Sequence, residues 1–285
     1  MNASVDVAVV TTPTVFGDGA RERNLAIARE QTLRAADAGA QFVVFPESFP
    51  GPWRRPIDWT PVEEMTALAG EAGVHLVTGF AEPVDGSTDR AWNSLLLAGP
   101  DGTEIGRYRR TSPSHAPWVY RGGIHWDFDW VTSDDLPVFD TTFGPVGLLV
   151  CSEIYVPELA RILALKGAEL IVMPAGLTGP GRLFDTWRTL GFARAIENLA
   201  GTAICSNIAG PGRGGLAMIC SPEEILVEST EPGIHHARVD LDRIRWLREQ
   251  QDRLIDSSVE RPWRTKPGTL RDWRRPEVIE SYGKK

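Results

Sequence analysis

What most constrains this chain is an order of segments: short, almost unbroken apolar runs alternate with helix-patterned stretches nearly to its end. VDVAVV at 5–10, QFVVF at 41–45, VHLVTGF at 74–80, VGLLVC at 146–151, ELIVMP at 169–174 and GTAICSN at 201–207 read as strands. Apolar runs this continuous belong to strands covered on both faces. Between them the pattern predicts helices over 21–38, 61–72, 157–166, 182–199 and 241–250. In the first of these Leu25, Ala28, Leu33 and Ala36 make the inward face, and Gly39 and Gly73 stand where glycine closes helices.

Hairpins are written in as well. WNSLLLAG and EIGRYRR flank Pro100-Asp101-Gly102, and Asp-Gly between apolar runs is a strong hairpin signal. GLAMIC and EILVES flank Ser221-Pro222-Glu223-Glu224, and HARVD at 236–240 closes the sheet. Crossovers and hairpins together imply mixed sheets. The strands are too many for one twisted sheet, so two sheets pack face to face with helices outside, a four-layer αββα sandwich of the α/β class. No linker divides residues 1–255, which read as one domain. Residues 256–285, with Pro262, Pro267 and Pro276, read as an extension packed on the domain or on a dimer partner. Residues 111–135 are expected to be irregular, and a loop of that length is usually functional.

Charge and cysteine usage exclude several classes. A net charge of -8 with no basic stripe argues against nucleic acid. No run approaches the roughly 18 apolar residues of a membrane span. Cys151, Cys205 and Cys220 form no CxxC pair, so neither a disulfide framework nor a metal site is expected, and a reducing, cytoplasmic setting fits.

Cys151 ends one apolar run and is followed by Ser152-Glu153 and Pro157. A thiol where a strand gives way to a helix is rigid yet reachable, and the helix N-terminus would favour its thiolate. The plainer alternative is a small apolar residue ending a core strand. A second strand end, QFVVF, runs directly into Pro46-Glu47.

FPES at 45–48, GRYRR at 106–110, FDTTFGPVGLLVCSEIYVPE at 139–158, KGAELIVMPAG at 166–176, ARAIEN at 193–198 and GLAMICSPEEILVES at 215–229 together resemble the carbon–nitrogen hydrolase (nitrilase and amidase) superfamily. The resemblance implies an αββα sandwich, hydrolysis of a non-peptide C–N bond or a nitrile, no metal or organic cofactor, and a homodimer or larger homo-oligomer. Glu47 then matches the general base and Cys151 the nucleophile. A carboxylate beside a thiol can take its proton during attack and return it to a departing amine.

Two departures stand out. Where the family has a lysine that stabilises the oxyanion, Tyr108-Arg109-Arg110 puts Arg110. Its guanidinium keeps the positive charge but is longer and planar. The family's second glutamate has no counterpart, because no Glu occurs between Glu104 and Glu153. Asp127 is the weaker substitute, and its alternative is a solvated loop aspartate. Glu153 is expected to orient the nucleophile loop and the Ser152 N–H to complete the oxyanion hole. Pro174 and Ala175 are placed at the pocket rim, with Phe49, Trp53, Trp118, Tyr155 and Trp187 as candidate lining. Glu197 is expected to hold structure.

The leading expectation is a thiol hydrolase acting on a small-molecule substrate, an amide ahead of a nitrile, through an altered Glu47–Arg110–Cys151 site. A Cys–His pair using His115 or His125 is a rival within enzymes. Outside hydrolysis, the rivals are a disabled member that binds a small amide or acid, and an acyl-transfer enzyme.

Overall fold

Two mixed β-sheets face one another in a computed structural model that describes residues 3–52, 55–112, 129–176, 182–208 and 215–252. The first holds β1 (Ser4–Thr11), β2 (Phe42–Val44), β3 (His75–Pro83), β4 (Arg90–Ala98), β5 (Glu104–Arg109), the short β6 (Asp129–Val131) and, last in the chain, β13 (Gly233–Asp240). Its order is β13-β1-β2-β3-β4-β5, with β6 paired to β4. The second holds β7 (Val138–Asp140), β8 (Pro145–Leu148), β9 (Leu170–Val172), β10 (Gly201–Cys205), β11 (Ala217–Cys220) and β12 (Ile225–Ser229), in the order β12-β11-β10-β9-β8-β7. β1, β2 and β3 run parallel, as do β8, β9 and β10; the flanking pairs are antiparallel except β4–β6, which is parallel.

Alternation along each strand decides what meets what. Val5, Val7 and Val9 of β1 point between the sheets with Phe42, Val44, Leu95, Leu97 and Tyr108, against Val146, Leu148, Leu170 and Val172. Ala8 and Val10 point the other way, with Val43, Leu76 and Leu96, under α1 (Ala20–Asp37) and α2 (Val62–Ala72). Each large side chain so buried stabilises the fold by about 1.5–3 kcal/mol. α3 (Pro157–Leu165) lies on β8, α4 (Arg182–Asn198) on β10 and β11, and α5 (Leu241–Asp252) against β1. The expected four layers are present.

Two local expectations are corrected. The segment 111–135 is not wholly irregular: Asp129–Val131 forms β6, with Ala91 and Trp130 opposite one another. On α1 the fully buried face is Asn24, Ala28, Thr32 and Ala35, while Leu25 and Ala36 are only partly buried. Small residues face the sheet there, and Asn24 reaches the chain beneath it. Its amide takes the Val15 N–H at 2.9 Å and donates to the carbonyls of Val15 and Pro50. The expected extension after 256 lies outside the described residues.

Candidate active site

Three chain segments leaving strands meet at one end of the sandwich. Beyond β2 the ladder continues through Phe45, whose N–H donates to Val77 O at 2.9 Å, before Pro46 turns the chain toward the second sheet. Glu47 N–H then donates to Ala175 O at 3.4 Å, and Asn207 Nδ2 donates to Glu47 O at 2.7 Å. Gly79 of β3 makes room for this crossing, since a Cβ there would stand 2.5 Å from Ser48 N and 3.0 Å from Glu47 Cα.

Cys151 follows β8. Its N–H donates to Pro174 O at 2.8 Å, and its φ of 51° turns the chain into a 3-10 turn, Cys151–Tyr155. A non-glycine residue in that region costs about 1–3 kcal/mol, which the surrounding bonds must offset. Glu153 supplies most of them. Its buried carboxylate accepts from Tyr108 Oη, the Thr111 N–H and hydroxyl, the Ser112 N–H and the Val150 N–H, at 2.7 to 3.0 Å. One side chain thus ties the Cys151 turn to the chain leaving β5. Burial and the nearby Glu153 charge push the Tyr108 hydroxyl's pKa well up, so it stays a donor.

Arg110 extends the β4–β5 ladder by one residue, its N–H donating to Asn93 O at 2.9 Å. It is buried. Nε donates to Ser112 O at 2.7 Å, Nη2 to Ser152 Oγ at 2.5 Å, and Nη1 lies 3.6 Å from Glu47 Oε1. Asn93 Nδ2 donates to the same Glu47 oxygen at 2.6 Å.

Burial raises the pKa of Glu47 above the usual carboxylate range, against the opposing pull of Arg110, Asn93, Cys151 and the Gly176 N–H. Glu47 Oε2 is buried with no regular hydrogen bond. The Cys151 thiol is also pushed up, first by burial and then by the Glu47 charge, with Arg110 acting the other way. Burial and the Glu47 charge therefore oppose the thiolate that the helix terminus was expected to favour, and the thiol sits beside the Glu47 carboxyl.

Residues 6–249 match the model of the carbon–nitrogen hydrolase family. The chain belongs to that family. It is a hydrolase acting on carbon–nitrogen bonds other than peptide bonds. It is 30% identical to a deaminated glutathione amidase from Synechocystis, covering 81% of this chain and 91% of the relative. To an omega-amidase from Xenopus tropicalis it is 29% identical, covering 81% and 87%. An amidase of the nitrilase superfamily from Nesterenkonia AN1 shares the fold at a TM-score of 0.76 and 20% identity, over 99% of this chain and 98% of that one.

The other expected positions of this carbon–nitrogen hydrolase divide. Ser152 and Ala175 sit at the junction, the latter taking N–H donors from both Glu47 and Asn207. Phe49 is fully buried and stacks on Phe45 at 5.3 Å in the helix-side core. Tyr155 lies edge-on to the buried Trp187 at 5.9 Å, close enough to Cys151 for the two to interact electrostatically. Glu197 pairs with Arg194 at 2.7 Å, a structural role as expected. Trp53, Trp118, Asp127, His115 and His125 lie outside the described residues.

Asn93, Tyr108, Thr111 and Asn207 were not singled out in the sequence. Asn93 carried a signal: a polar residue inside the apolar strand WNSLLLA has to find a buried partner. Among the described residues no group of His, Cys, Asp or Glu is arranged to hold a metal ion, and no helix is long and apolar enough to cross a membrane.

Proposed function

We propose that this protein hydrolyses a small amide through an acyl-enzyme on Cys151. The observation that carries the reading is the meeting of buried Glu47 and Arg110 with the partly buried Cys151, Arg110 lying 3.6 Å from the Glu47 carboxylate. Glu47 takes the thiol proton as sulfur attacks the carbonyl carbon. Arg110 and the Ser152 N–H bear the negative charge that develops on the oxygen. When the tetrahedral intermediate collapses, Glu47 returns the proton to the departing amine and a thioester remains. Water, losing its proton to Glu47, then adds to the thioester and releases a carboxylic acid and the free thiol.

The amidase names of the relatives support amide over nitrile. Arginine at position 110 supports an altered rather than a lost site, because it keeps a positive charge against the base. The reading places the enzyme in the cytoplasm without metal or organic cofactor, as a homodimer. Tyr155, Ile162 and Leu165, exposed along the nucleophile turn and α3, support that interface.

Intact mass after brief incubation with small amides, nitriles and N-carbamoyl acids tests the proposal. An acyl adduct in wild type that is absent from Cys151→Ala is expected. An unmodified wild type beside an acylated Arg110→Lys variant would instead favour a binding protein with a disabled site.

A further inference from the structure

Arginine at position 110 raises a geometric problem that lysine does not. An ammonium is one nitrogen that can turn its protons to any acceptor. A guanidinium is a rigid planar fork, aimed by whatever holds its Nε and Nη atoms. In this chain Nε is held by Ser112 O at 2.7 Å and Nη2 by Ser152 Oγ at 2.5 Å, with Nη1 toward Glu47.

Both acceptors are themselves fixed. The Ser112 N–H donates to Glu153 at 2.9 Å, and Ser152 is the residue before Glu153 in the turn that follows Cys151. The carboxylate that braces the Cys151 turn therefore also sets two of the points that hold the guanidinium. Ser152 is the one of these two acceptors that a side-chain change can remove, since Ser112 contributes a backbone carbonyl.

We propose that the Ser152 hydroxyl is a positioning residue that aims the Arg110 guanidinium at the carbonyl oxygen of an acyl group on Cys151. Accepting from Nη2, it fixes the plane of the fork and keeps the arginine from swinging toward solvent. It stands next to Cys151 in sequence, so it ties the cation to the residue whose chemistry the cation serves. This deepens the proposed function and rests on Arg110 acting at the oxyanion.

The test compares two reactions of the same thiol in wild type, Ser152→Ala, Ser152→Thr and Arg110→Gln. One is acylation of Cys151 by the amides of the panel, followed by quenched-flow intact mass. The other is modification by methyl methanethiosulfonate, which has no carbonyl and develops no oxyanion. Ser152→Ala is expected to slow acylation about 10- to 100-fold, less than the roughly 10²–10³ for deleting an oxyanion donor outright. The thiosulfonate reaction, which feels Arg110 only through the thiol's ionisation, should slow far less than acylation, and Ser152→Thr, which retains the hydroxyl, should restore acylation.

Acylation of Ser152→Ala at the wild-type rate would overturn the proposal. Equal slowing of both reactions would overturn it too, because the hydroxyl would then act on the thiol. If Arg110→Gln acylates as fast as wild type, or no amide acylates wild type, the reading of the site itself falls. Those failures are visible without the serine variants.

Discussion

In the first sheet the chain leaves β2 through Phe45-Pro46-Glu47-Ser48; in the second it leaves β9 through Met173-Pro174-Ala175-Gly176. Phe45 N–H donates to Val77 O of β3 at 2.9 Å, and Met173 N–H donates to Ala203 O of β10 at 2.8 Å. Each segment follows the middle strand of a parallel trio, and each trio is extended by an antiparallel pair, β4–β5 or β11–β12. The third position differs. It is a buried carboxylate in one half and a methyl group in the other. The plain half then serves the equipped one, since Ala175 O accepts the Glu47 N–H. The strand ends match in backbone and differ at this position, while the second half brings Cys151 to the same junction from the end of β8.

The largest expected effect comes from erasing that difference. Glu47→Gln should lower kcat/KM by about 10²–10⁴. It should not lower thermal stability near neutral pH, because it removes a buried charge. Glu47 is raised from 4.5 by burial, so in wild type its contribution to stability is present below that value and is lost as pH rises through the folded pKa. The stability of Glu47→Gln relative to wild type should therefore grow across that window, measured by denaturant titration at several pH values.

Glu153→Gln follows. An amide has an NH2 where five donors now converge on a carboxylate, and each buried donor left unpaired costs about 1–3 kcal/mol. Stability and acylation should fall together.

A matched pair of glycines separates the halves. In Gly79→Ala the new methyl would meet the Ser48 and Glu47 backbone; in Gly191→Ala it would meet the tips of Ile204 and Met218, 2.3 Å away. Gly79→Ala should lose about 1–3 kcal/mol of stability by overpacking, and Gly191→Ala less, since the Ile204 and Met218 side-chain ends can give way. Only Gly79→Ala should also lose activity, by roughly 10²-fold, since it displaces the base. Equal activity losses would mean that the two halves are not divided in this way.

Asn93→Ala is the gentler probe. Its hydrogen bond lowers the Glu47 pKa, so removing it should move the acid limb of kcat/KM to higher pH, with little loss at the plateau. Smallest of all, Arg29→Ala breaks an exposed pair with Glu71 and should change stability by less than about 1 kcal/mol and activity not at all.

Much of this was legible in the sequence, for identifiable reasons. Continuous apolar runs gave the doubly covered strands, and Asp101-Gly102 gave the β4–β5 hairpin. The strand ends at Glu47 and Cys151 stood out because a polar or reactive group directly follows an apolar run. What escaped depends on contacts distant in sequence. Nothing near Glu153 announces that Tyr108, Thr111 and Ser112 converge on it, and the partner of Asn93 is set by sheet order. The α1 face was misplaced because periodicity weighs Leu25 above Asn24, while the fold needs an amide there to hold Val15 and Pro50. The helix-terminus argument for the thiol left out burial, which acts against the thiolate.

The central claim is that a glutamate from one half, an arginine from the same half and a cysteine from the other hydrolyse an amide together. Ammonia release from small primary amides by wild type, Cys151→Ala and Arg110→Gln, measured side by side, tests it most directly. Release by wild type with loss in both variants is predicted. Release by Arg110→Gln at the wild-type rate, or none by wild type while Arg110→Lys turns over, would contradict it.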